Sequence, residues 1–181
     1  MVMNKTHEKN FPVKSNNIVL CGFMGCGKTT VGLHVAQMLD RQFIDSDDYI
    51  ENKFQMKIPK IFEKYGITHF RELERDAILE LSKLSEIVIS TGGGVVLNSD
   101  NVKALKTTGY IFYIEITPQI VLERLKNDTS RPLLMKSNKE QAINDLMEKR
   151  SPIYLNAADF RVDGSLSPKC ISKQIISAFG K

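Results

Sequence analysis

The chain has 181 residues, 42% of them hydrophobic, and a net charge of +4 from 25 Lys+Arg against 21 Asp+Glu. That is enough for one domain with a real core, and it contains no apolar run of ~18 residues that would span a membrane. The charge excess is small; an anionic substrate would explain the basic residues as well as nucleic acid would, and no basic stripe interleaves with aromatics.

The first 16 residues are polar and lack an apolar h-region. They read as a disordered extension rather than a secretory leader, followed by one domain over 17–181. Strand-like apolar segments fall at 17–21, 42–44, 86–90, 110–115 and 160–162, with helical patterns between them. This alternation predicts an α/β fold, a five-stranded parallel sheet covered by helices on both sides in three layers. Thr117-Pro118 and Ser167-Pro168 each read as an N-cap followed by proline at the first helical position. Phe70, Leu73, Ala77, Ile78, Leu81 and Leu84 trace one face of a helix. The three cysteines, Cys21, Cys26 and Cys170, form no C-x-x-C pair and fit a reducing, cytoplasmic setting. Nothing in the pattern obliges a partner, so a monomer is expected.

After the first strand comes Gly22-Phe23-Met24-Gly25-Cys26-Gly27-Lys28-Thr29, a match to G-x-x-x-x-G-K-[ST]. Strand, glycine loop and helix in succession are the context this phosphate-binding motif requires. Its glycines allow backbone N–H groups from Gly25 to Thr30 to converge on anionic oxygens, and the following helix adds its positive end. Lys28 reaches the outer phosphates and the Thr29 hydroxyl suits Mg²⁺. Cys26 reads as a small loop residue whose side chain does no chemistry.

Asp45-Ser46-Asp47 follows the second strand, at the carboxyl edge where ligands gather. Two readings stand there: a helix cap, or a pair of carboxylates of which one serves a magnesium shell and the other a substrate hydroxyl. Thr91-Gly92-Gly93-Gly94 ends the third strand and offers bare backbone to a ligand. Phosphate-loop proteins often end this strand in a magnesium-binding Asp; Ser90-Thr91 stand there instead, and Asp45 is the acid available. Arg71, opening the long helix, and Arg150, ending another before Ser151-Pro152, carry forks suited to a carboxylate. Residues 126–138 are polar, long for a turn, and carry Arg131-Pro132; they read as a mobile lid whose arginine closes over phosphates, with Arg124 before it as a candidate to stack on adenine.

Taken together and in order, Gly22–Thr29, Asp45-Ser46-Asp47, Phe70-Arg71, Gly92-Gly93-Gly94, Arg131-Pro132-Leu133-Leu134 and Arg150 with Tyr154 resemble shikimate kinase over roughly residues 17–179. The resemblance implies a P-loop, nucleoside-monophosphate-kinase-like fold and transfer of the ATP γ-phosphoryl group to the 3-hydroxyl of shikimate. It implies Lys28 and Thr29 on phosphates and Mg²⁺, Asp45 on the magnesium shell, and Asp47 on substrate hydroxyls and as base. It also implies Arg71 and Arg150 as the carboxylate clamp, Gly93 and Gly94 as pocket lining with Phe62 and Phe70 as apolar wall, and Arg131 as the lid arginine. Arg161-Val162-Asp163 with Pro168 resembles the adenine-binding loop. A nucleotide kinase of the same fold is the nearest rival. A GTPase switch is disfavoured because Asn52-Lys53-Phe54-Gln55 lacks the Asp that guanine recognition needs.

Overall fold

The computed structural model describes residues 16–126 and 138–180. The expected extension up to residue 15, and the expected lid with Arg131 apart from Lys126 and Asn138, lie outside the described residues.

Five parallel strands form one sheet: β1 (Asn17–Cys21), β2 (Gln42–Asp45), β3 (Ile87–Ser90), β4 (Gly109–Glu115) and β5 (Phe160–Asp163), in the order β2-β3-β1-β4-β5. β1 is central and buried throughout, as an apolar strand covered on both faces must be. Among the described residues, seven α-helical segments connect and cover the strands: α1 (Lys28–Leu39), α2 (Ser46–Phe54), α3 (Ile58–Leu81), α4 (Ser99–Thr108), α5 (Pro118–Arg124), α6 (Lys139–Ala157) and α7 (Pro168–Phe179). Opposite faces of β4 show the layering: Tyr110 meets Phe179 of α7, while Tyr113 stacks on Tyr154 of α6. Both anticipated N-caps form, Thr117 accepting from the Ile120 N–H and Ser167 from the Cys170 N–H.

Apart from the sheet core, a second small cluster packs Ile50 of α2 against Ile61, Phe70 and Ala77 of α3. It gives the α2–α3 pair an apolar anchorage of its own beside the carboxyl edge of β2.

Three local expectations are corrected. Arg71 does not open its helix: α3 starts at Ile58, with Pro59 in its first turn, and is interrupted at Gly66 (φ 78°, ψ 174°). Arg150 does not end a helix: α6 runs on through Pro152 to Ala157. An interior proline costs about 3 kcal/mol, but α6 buries Ile143, Met147 and Tyr154, each worth roughly 1.5–3 kcal/mol, so packing wins. Leu84 leaves the apolar face because α3 ends at Leu81; it is 41% exposed.

Candidate active site

The glycine loop between β1 and α1 curls as its sequence demands. Gly25 and Gly27 take φ of 78° and 96°, values open to glycine and strained for other residues, and Gly27 is the N-cap of α1. Lys28 Nζ donates to the carbonyls of Gly22 (2.8 Å) and Phe23 (3.2 Å) and lies 3.6 Å from Cys26 Sγ. The Cys26 side chain is fully buried, so it faces the core and not the loop's concavity. Thr29 and Thr30 are exposed on the first turn of α1. Arg124 clips the loop to the turn after β5: Nη1 donates to Gly25 O (3.2 Å) and Cys26 O (3.3 Å), and Nη2 to Gly164 O (2.9 Å). Arg161, on β5, pairs with Glu115 at 2.5 Å.

Strand register explains the placement of Asp45. It is paired with Ser90 at the ends of β2 and β3. Its Oδ2 accepts from Ser90 Oγ at 2.9 Å and Thr29 Oγ1 at 3.2 Å, and its Oδ1 accepts from the Asp47 N–H at 3.0 Å. This carboxylate is thus the N-cap of α2 and also reaches the phosphate loop at Thr29. Oxygen donors only, from one carboxylate and two hydroxyls, suit a hard cation such as Mg²⁺, which keeps waters and substrate oxygens as its remaining ligands.

Around the triple glycine the remaining candidates converge. A Cβ on Gly92 would collide with Asp47 Oδ1 and lie 3.1 Å from its Cγ; a Cβ on Gly94 would lie 2.8 Å from Arg71 Cζ. The carboxylate and the guanidinium thus occupy space that only bare Cα atoms leave open. Ser46, fully buried, accepts the Gly92 N–H through Oγ at 2.8 Å, which fixes this loop to the start of α2. Phe62 and Phe70 meet edge to face at 4.7 Å, and Arg71 lies over the Phe70 ring. Arg150, half-buried on α6, lies one turn before Tyr154 and its charge acts on the Tyr154 hydroxyl, which donates to Gly93 O at 2.7 Å.

Glu74 was not among the sequence candidates. It is 2% exposed and takes both of its bonds from Arg71 Nη1, at 2.7 and 2.8 Å. Its signal was present: a carboxylate one turn after Phe70, inside the apolar stripe that continues at Ala77, Ile78 and Leu81. Burial raises its pKa above the ordinary 4.5 by more than the nearby charges of Arg71 and Arg150 lower it. The native state then binds more protons than the unfolded chain, so this group's stability contribution is complete below about 4.5 and is lost as pH climbs through the raised value. Glu74→Gln is expected to remove that decline, whatever it does to absolute stability. Urea melts from pH ~5 to ~8 measure the slope, and an unchanged slope would refute the assignment.

The family model described as shikimate kinase matches residues 24–179. A shikimate kinase of Caldicellulosiruptor bescii is 46% identical over 162 residues, 89% of this chain and 94% of that protein. Another, from Thermodesulfovibrio yellowstonii, is 44% identical over 164 residues, 90% and 94% of the two chains. Among solved structures, the shikimate kinase of Acinetobacter baumannii in complex with shikimate superposes with a TM-score of 0.86 at 38% identity, covering 90% of this chain and 92% of that one.

Proposed function

The chain belongs to the shikimate kinase family of ATP-dependent kinases, and from that premise we propose how its own residues divide the work. Shikimate binds between the glycine loop 92–94 and the α2–α3 pair, with its carboxylate held by Arg71 and Arg150 and its hydroxyls by Asp47. Phe62 and Phe70 form the apolar wall, and the backbone of Gly93 and Gly94 the floor. ATP lies along the phosphate loop, with Gly25 to Thr30 and Lys28 on its phosphates, and Arg124 with the 161–168 segment at its base. Thr29 and Asp45 would hold Mg²⁺, which would neutralise charge on the phosphates. The observation that carries this reading is the convergence of Asp47 and Arg71 on the bare Cα atoms of Gly92 and Gly94, beside the Asp45–Thr29 contact.

In the transfer, the substrate's 3-hydroxyl oxygen forms a bond to the γ-phosphorus as the bond to the bridging oxygen breaks. The hydroxyl proton passes to the Asp47 carboxylate, and ADP leaves. Such a step passes through a loose transition state, so alignment and charge neutralisation supply most of the acceleration. Lys28 must exchange its carbonyl partners in the loop for phosphate oxygens. On the family's pattern Arg131 adds positive charge at the transferring group. The enzyme acts as a cytoplasmic monomer on these small molecules, with no nucleic acid or membrane partner.

The test is ADP release by purified protein with ATP and Mg²⁺ and one acceptor at a time: shikimate, gluconate or AMP. Turnover is expected with shikimate alone. Faster release with either of the others would overturn the assignment.

A further inference from the structure

We propose that Tyr154 is a positioning residue that sets Arg150 for the substrate carboxylate by tying it to the glycine loop. The inference rests on the carboxylate clamp proposed above and names the part that makes it rigid.

Tyr154 lies one helical turn after Arg150 on α6, so the two side chains share a face. Its hydroxyl is a junction. It donates to Gly93 O at 2.7 Å and feels the charge of the Arg150 guanidinium, one turn before it on the same face. The ring is 1% exposed and stacked on Tyr113, centroids 5.5 Å apart and planes at 27°. A ring locked in this way leaves its oxygen little choice of position.

The consequence concerns order. An arginine on a helix surface loses several rotatable bonds' freedom when it grips an anion, and that loss weakens binding. A phenol oxygen that is itself anchored to the pocket floor holds the guanidinium beforehand. The same bond links the clamp on α6 to the Gly93 carbonyl, so the cation and the pocket lining move as one piece. Burial pushes the Tyr154 pKa up to about 12, which keeps the hydroxyl protonated as the donor that Gly93 O requires.

Tyr154→Phe keeps the ring and its stacking and deletes one oxygen. Wild type and variant are compared at saturating ATP with shikimate and with its methyl ester, which lacks the anion. The expected result is a KM for the acid raised about tenfold or more, from the loss of an interaction with a charged group. The variant's kcat and its KM for ATP stay within about threefold of wild type, and its preference for acid over ester falls by the same factor as the acid KM rises. In an Arg150→Ala background the further change Tyr154→Phe is expected to have no effect on the acid.

An unmoved acid KM, an equal loss on acid and ester, or an undiminished effect without Arg150 would each overturn the proposal. Should the Phe variant not fold, 3,5-difluorotyrosine at position 154 retains the hydroxyl but ionises at lower pH. Its phenolate would repel Gly93 O and compete with the substrate for Arg150, so the acid KM should climb with pH where the wild type's does not; a flat profile overturns the proposal. A wild type that does not phosphorylate shikimate at all refutes the functional reading itself, before any variant is made.

Discussion

Asp47→Asn is expected to lower kcat about 10²- to 10⁴-fold, the range for removing a positioned base, while ATP affinity stays within a factor of about two. The substitution is nearly isosteric. Asn can still place an oxygen against the open Cα of Gly92, where the Asp47 carboxylate sits, and the N–H of residue 47 still caps onto Asp45. What disappears is the negative charge proposed to accept the hydroxyl proton. On the proposed division of the site ATP contacts the other half, so its binding measured by calorimetry should survive. The size of the loss discriminates between two roles. A fall below about tenfold would mean that Asp47 only orients the hydroxyl and that the proton leaves late, as a loose transition state permits. Unchanged turnover would remove Asp47 from the site altogether.

The parallel sheet was readable because its strands are short apolar runs separated by helical patterns, with β2 ending in an acid where β3 ends in Ser90. That exchange was legible from the absence of an acid after Ile89; the register pairing of Asp45 with Ser90 is its structural counterpart. The phosphate loop and the glycine triplet were legible for the same reason: glycine is informative where backbone or ligand must come close. The helices were less so. The apolar residues of α6 are scattered among charges and broken by Pro152, so local propensity ends the helix at Arg150 where burial carries it on to Ala157. The start of α3 was hidden by Gly66, whose positive φ interrupts the periodicity. Ser46, Tyr154 and Glu74 were not marked as candidates because their work is done on other protein groups. A serine between two aspartates, or a glutamate in an apolar stripe, becomes meaningful only when the Gly92 N–H and the Arg71 guanidinium are brought to it.

Those supporting residues determine the second large effect, Arg71→Lys. Charge is conserved, so a purely electrostatic role would leave the enzyme nearly intact. Geometry predicts otherwise. Glu74 takes both of its bonds from Arg71 Nη1, and the planar fork has further N–H donors with which to meet a substrate carboxylate at the same time. A lysine ammonium is a single point on a flexible stem. Beside a carboxylate that is only 2% exposed, it satisfies Glu74 or the substrate, and leaving a buried charge unpaired is the more costly choice. The ammonium should therefore stay with Glu74, and the substrate should lose a charge-assisted, oriented contact worth roughly 1.5–3 kcal/mol, or about 10- to 100-fold in KM for shikimate. The KM for ATP should not move, and kcat should fall less than kcat/KM, because the lost contact exists before the transition state as well as in it. Steady-state kinetics with each substrate varied in turn separates these terms. An acid KM within twofold of wild type would mean that Arg71 serves only as the counter-ion of Glu74, leaving Arg150 to hold the carboxylate alone.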